Sequence, residues 1–150
     1  MGPYELDARR CVSYLTIEQR GAIPVEMRPL IGDWLYGCDL CQEACPQNSA
    51  RAKQIPNDEN HEPFSMRIGG DFQILKEILD IKTDEEFVEK FAGSPMKRAK
   101  RVGLIRNACV VAANVSATEL LPQLQDLAKN DPSDLIREHA TWAIGQLELL

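Results

Sequence analysis

A mainly α fold is what this chain predicts, and three observations predict it. Apolar residues recur at helical spacing through the second half, as in Leu104, Ala108, Val111 and Val115. Helix punctuation frames those stripes. Thr83-Asp84-Glu85-Glu86 is a capping box, Gly93 suits a stop and Pro95 suits a first helical position. Ahead of them, Cys38, Cys41 and Cys45 stand in a C-x2-C-x3-C-P run closed by Pro46. Such a run asks for flexible backbone around a metal rather than for a sheet.

The elements follow in order. Cys11-Val12-Ser13-Tyr14-Leu15-Thr16-Ile17 reads as a strand or a short buried segment. Gly21 to Pro24 is a loop, and Pro24 opens a helical turn that Pro29 interrupts or restarts. Gly37 precedes the cysteine run, where backbone has to pass close to a bulky group. Asn57-Asp58-Glu59-Asn60-His61-Glu62 is a polar loop, and the boundary of the cysteine segment falls there. Phe72, Leu75, Ile78 and Leu79 mark one helix, and Phe87, Val88 and Phe91 the next. A longer helix runs from about Met96 to Asn114. Leu120, Leu121, Leu124 and Leu127 mark another, Asn130-Asp131-Pro132-Ser133 makes a turn, and Leu135 to Leu147 completes the set. Residues 121–147 resemble one HEAT-like helix pair, carried by Asp131-Pro132-Ser133-Asp134-Leu135-Ile136-Arg137 and Ala140-x-x-Ala143-Ile144-Gly145. One or two such units are too few to stand free, so they are expected to pack against other protein.

At 150 residues the chain holds one domain or two small ones. It contains no apolar run long enough for a transmembrane helix. Met1 to Asp7 lacks the regions of a signal peptide and matches a myristoylation signal poorly, so it reads as a fragment boundary. Five cysteines, three of them packed together, argue for metal rather than for a disulfide framework. The net charge of −6 is uneven: residues 57–95 carry ten acids against four bases. Residues 96–106 carry five bases (Lys97, Arg98, Lys100, Arg101, Arg106) and no acid. Clustered cations at a helix start oppose the dipole, so a phosphate partner is expected despite the acidic total.

The C-x2-C-x3-C-P spacing is the second half of a ferredoxin-type iron–sulfur ligand set, in which the cysteine before the proline serves the other cluster. Structural zinc is the rival, but four-cysteine zinc sites pair two C-x2-C knuckles and only one is present. Cys11, 27 residues before Cys38, reads by itself as a small core residue. Cys109 and His139 read as packing, His61 as solvated, and Trp34 and Trp142 as core. No Gly-rich phosphate loop, nucleophile elbow or zinc-protease helix is present. The fold class is therefore mainly α, a ferredoxin-like 4Fe–4S segment followed by HEAT-like paired helices. Its stretches are an iron–sulfur segment over 1–60, an acidic helical connector over 61–95 and a HEAT-like repeat over 96–150.

Longer stretches carry a more specific resemblance. Tyr4 to Glu18, Arg28-Pro29-Leu30-Ile31-Gly32-Asp33, Tyr36 to Asn48, Ser94 to Arg101 and Arg106-Asn107-Ala108 together resemble the C-terminal part of the epoxyqueuosine reductases. The resemblance implies a cytoplasmic oxidoreductase that reduces epoxyqueuosine to queuosine at the tRNA wobble position. It implies two [4Fe–4S] clusters and cobalamin, electrons passing from cluster to cluster to cobalt, and a monomer when complete. It implies that Cys11, Cys38 and Cys41 serve one cluster and Cys45 the other, which makes Cys11 a ligand. It places Ser13, Cys38 and Asp39 against cobalamin. Glu18, Gln19 and Arg20, with Lys97, Arg98, Lys100, Arg101 and Arg106, would lie near tRNA.

The departures from that family are as informative. Its upstream cysteine run, its cobalamin-binding α/β region and its catalytic carboxylate are not found in these 150 residues. Four of eight cluster ligands are missing with them, so the chain is not expected to catalyse the reduction alone. The alternative is a ferredoxin-like electron carrier joined to a helical protein-interaction module; a zinc-bearing helical scaffold is the third reading.

Overall fold

The computed structural model describes residues 7–48 and 72–149. Every regular element among them is helical. The first stretch runs through short turns: Ala8–Arg10, a π-helical turn Tyr14–Glu18, Val25–Met27 and Pro29–Ile31. A four-residue helix α1 (Leu40–Glu43) follows. The second stretch holds α2 (Phe72–Leu79), α3 (Asp84–Lys90), a 3-10 turn (Pro95–Ala99), α4 (Lys100–Asn114), α5 (Leu121–Asn130) and α6 (Asp134–Leu147).

Helix α4 is the axis on which the rest is mounted. From Gly103 to Ala113 every residue is buried, and an all-round buried helix must be covered on every side. Helix α6 covers one face, with α2 and α3 on others, while the turns at 14–18 and 29–31 close the remainder. Helix α5 packs on α6 with Leu124 and Leu127 facing Ile136, Ala140, Ala143 and Leu147 in the same core. The helix pair thus packs on α4 within the chain itself.

The caps expected from sequence form. Thr83 accepts from the Glu86 N–H at 3.2 Å, and the Glu86 carboxylate accepts from the Thr83 N–H. Worth about 1 kcal/mol, that cap starts α3. Pro95 occupies the first turn of the 3-10 segment, and Gly93 adopts φ 74°.

Three expectations are corrected. Of the two readings of Cys11 to Ile17, the strand is corrected: the segment is short, helical from Val12 onward, with Leu15 and Thr16 buried and the Leu15 N–H bonded to the Cys11 carbonyl. The helix placed at 96–114 is two elements joined at Lys100, whose φ of 61° interrupts the register. Trp34 and Trp142 sit at the rim of the core, half-buried. The stretch 72–95 packs as core, since Leu75, Ile78, Leu79, Ile81, Phe87 and Phe91 are buried with Leu104 and Ile105. His61 and the 57–62 loop lie outside the described residues. No helix among the described residues is long and apolar enough to cross a membrane.

Candidate cluster-binding site and basic face

Two cysteine-bearing segments meet through one hydroxyl. Thr16, fully buried, donates to the Val12 carbonyl at 2.8 Å and accepts from the Gly37 N–H at 3.0 Å. Val12 follows Cys11 and Gly37 precedes Cys38, so the hydroxyl ties the flanks of two thiols that lie 27 residues apart. Gly37 takes φ 77°, a conformation that only glycine adopts freely, and so turns the chain into the cysteine run. Helix α1 then carries Cys41, and the Cys45 N–H closes a further turn on the Gln42 carbonyl at 3.3 Å.

Beneath this junction lies a buried polar clamp on α4. The Arg106 guanidinium donates to the carbonyls of Leu15, Gln19 and Gly21 at 2.7–2.9 Å. Asn107 donates to the carbonyls of Thr16 and Leu35 at 2.7 and 3.0 Å, and its own carbonyl accepts from Arg106. Side by side, these residues hold both segments against one turn of α4. Burial lowers the Arg106 guanidinium to about 10, with Arg20 adding like-charge repulsion, so it stays cationic at neutral pH.

The four thiols of the site are accessible or half-buried, and none is in a disulfide. Cys109, by contrast, is fully buried in α4, and desolvation pushes its thiol well above the usual range. Soft, reachable thiolates on short turns fit an iron–sulfur cage. Among the described residues no three Cys, His, Asp or Glu side chains converge as tightly as a single ion requires. Ser13 and Asp39 flank the same junction: the Ser13 carbonyl lies 3.4 Å from the Thr16 hydroxyl, and Asp39 is exposed two residues past Gly37.

The basic stripe divides. Lys97, Arg98 and Lys100 are exposed. Arg101 is buried, donating to the Ile81 carbonyl at 3.2 Å and pairing with the Asp131 carboxylate. Arg106 is the clamp just described. Unlike the three exposed cations, both side chains are buried and spent on partners within the chain. Their helical spacing put them on the inward side of α4, which charge counting alone could not show. The exposed cations are met by the other expected group. Arg20 donates to the Arg98 carbonyl at 2.8 Å, and the Arg98 Nε lies 2.6 Å from the Glu18 carboxylate. Gln19 is half-buried and turns its amide to the Ala22 carbonyl. The Tyr36 hydroxyl donates to the Pro95 carbonyl at 2.6 Å, and its partial burial raises its pKa. Thr16, Tyr36 and Asn107 were not singled out from sequence. Thr16 and Asn107 are polar residues amid apolar neighbours, which is the signal that marks them.

Comparison with known proteins shows what the chain is similar to. A family model described as a 4Fe–4S double cluster binding domain matches residues 1–48. An epoxyqueuosine reductase of Pseudomonas aeruginosa is 43% identical over 146 residues, covering 96% of this chain and 38% of that protein. The chain is homologous to the epoxyqueuosine reductases. The Escherichia coli enzyme is 41% identical over 145 residues, covering 96% of this chain and 36% of its own length. A crystal structure of epoxyqueuosine reductase with an epoxyqueuosine-modified tRNA-Tyr stem loop superposes with a TM-score of 0.75 at 35% identity. It covers 97% of this chain and 37% of that one. The chain therefore spans a little over a third of the length of the relatives it matches.

Proposed function

We propose that this chain is the part of an epoxyqueuosine reductase that gives thiolates to its 4Fe–4S clusters and offers a basic face to tRNA. The observation that carries the reading is the Thr16 link, which holds the flanks of Cys11 and Cys38 together. Cys11, Cys38 and Cys41 would hold one cluster and Cys45 the second. Ser13, Cys38 and Asp39 would hold cobalamin at the same junction. When bound, the clusters supply one-electron carriers and cobalamin a redox-active cobalt.

The chain's own residues orient and shield. Thr16 and Asn107 fix the spacing of the cysteine turns, and Arg106 holds the backbone of residues 15–21 against α4. Arg20 and Tyr36 pin the backbone of residues 95–98, holding Lys97, Arg98 and Lys100 in one place on the surface. Pinned cations bind phosphate with less entropy to lose.

The test is binding of the chain to a synthetic anticodon stem-loop RNA over a range of salt. A log–log slope steeper than about −2 is expected for three phosphate contacts at about 0.7–0.9 each. Binding indifferent to salt would overturn the RNA reading.

A further inference from the structure

Among the described residues Glu18 is the one close acidic partner of the exposed cations, and its position is built rather than incidental. It emerges from the π turn that Thr16, Arg106 and Asn107 fix from below. Its carboxylate lies 2.6 Å from the Arg98 Nε. The backbone of the same residue is held by Arg20, whose guanidinium donates to the Arg98 carbonyl at 2.8 Å. Lys97 and Lys100 flank Arg98, exposed and with no acidic partner among the described residues. The backbone of Lys100 is strained, with φ 61° and ψ 165°, a region that side-chain-bearing residues rarely occupy.

Resting on the RNA-binding reading, we propose that Glu18 is a built-in competitor for phosphate at Arg98, and not itself an RNA contact. A phosphate that takes the Nε edge of Arg98 has to displace the carboxylate. Lys97 and Lys100 attract RNA of any sequence, since a lysine is a point charge with no geometric demand. Arg98 joins them only where a phosphate is presented well enough to beat an ion-paired carboxylate. The arrangement weakens loose binding more than well-docked binding, which is how an opposing charge improves discrimination. Both Glu18 and Arg98 are exposed enough that the exchange needs only side-chain rotation.

The experiment uses the 150-residue chain, a short synthetic anticodon stem-loop RNA, and the variants Glu18→Gln, Arg98→Gln and the double variant. Far-UV circular dichroism and urea midpoints check that each variant folds. Glu18→Gln is expected to bind RNA about twofold to fivefold more tightly at low salt, the range set by exposed ion pairs. Its salt slope steepens by a fraction of one phosphate contact, and its advantage shrinks as salt rises. In the Arg98→Gln background the same substitution changes affinity little. A gain that persists without Arg98 would show that Glu18 merely repels RNA, and overturns the proposal. So would the absence of any gain in a wild-type chain that binds RNA, an outcome that leaves the RNA reading standing. A wild-type chain that binds no RNA overturns both.

Discussion

Replacing Thr16 by valine removes one oxygen and tests the junction on which the site depends. Valine keeps the shape of threonine, so no cavity opens. What is lost is the acceptor for the Gly37 N–H at 3.0 Å and the donor to the Val12 carbonyl at 2.8 Å. A buried polar group left without its partner costs about 1–3 kcal/mol, and the half-buried setting of Gly37 favours the lower part, about 1–2 kcal/mol. That is roughly a tenfold shift in the folding equilibrium. Urea unfolding should show a lower midpoint with an unchanged slope. A short bifunctional thiol reagent should also cross-link Cys11 to Cys38 less efficiently in Thr16→Val, because the tie between their flanks is gone. Thr16→Ser keeps the hydroxyl and loses a methyl worth about 0.8 kcal/mol, so it should lose stability yet keep the cross-link. A Thr16→Val chain matching wild type in both midpoint and cross-linking would refute the bridging role.

Other outcomes follow from the same geometry. Arg106→Met should cost about 3 kcal/mol or more in urea unfolding, since three carbonyls lose their donor, whereas Lys97→Ala should leave stability within about 0.5 kcal/mol. Lys97→Ala should instead flatten the salt dependence of RNA binding by about 0.7–0.9, one phosphate contact. Lys100→Gly should move two readouts in opposite directions, gaining about 1 kcal/mol by relieving its positive φ while weakening RNA binding. His139 is buried, accepting from the Ile23 N–H at 3.2 Å, and desolvation lowers its pKa to about 4 from 6.5. The unfolded chain therefore binds the extra proton first. Stability should be full above about pH 6.5 and fall as pH drops toward 4, on the order of 3 kcal/mol in all. His139→Gln should flatten that dependence between pH 7 and 5 in urea titrations.

Much of the helical pattern was legible in the sequence because caps and stripes are local. Thr83 and Glu86 announce α3 within four residues, and Leu124, Leu127, Ile136 and Ala143 face inward at the helical period. The buried ion pair of Arg101 with Asp131, and the clamp of Arg106 and Asn107, were not legible. Their partners lie 30 to 91 residues away, and a charge run shows sign without direction. The turn at 12–18 was missed because Val12, Thr16 and Ile17 are β-branched and favour strands by themselves. Tertiary demand overrode that preference: the Thr16 hydroxyl is needed inside, between Val12 and Gly37. The cysteine spacing was the most specific signal for chemistry, and the packing of Glu18 and Arg20 against residues 95–98 supplied what spacing could not.

Iron and acid-labile sulfide content after anaerobic reconstitution tests the central claim most directly. The account predicts that the wild-type chain takes up iron and sulfide, that Cys11→Ser, Cys38→Ser and Cys41→Ser each sharply reduce that uptake, and that Cys109→Ser does not. Iron content indifferent to Cys11→Ser, or a chain that takes up zinc in place of iron, would contradict it.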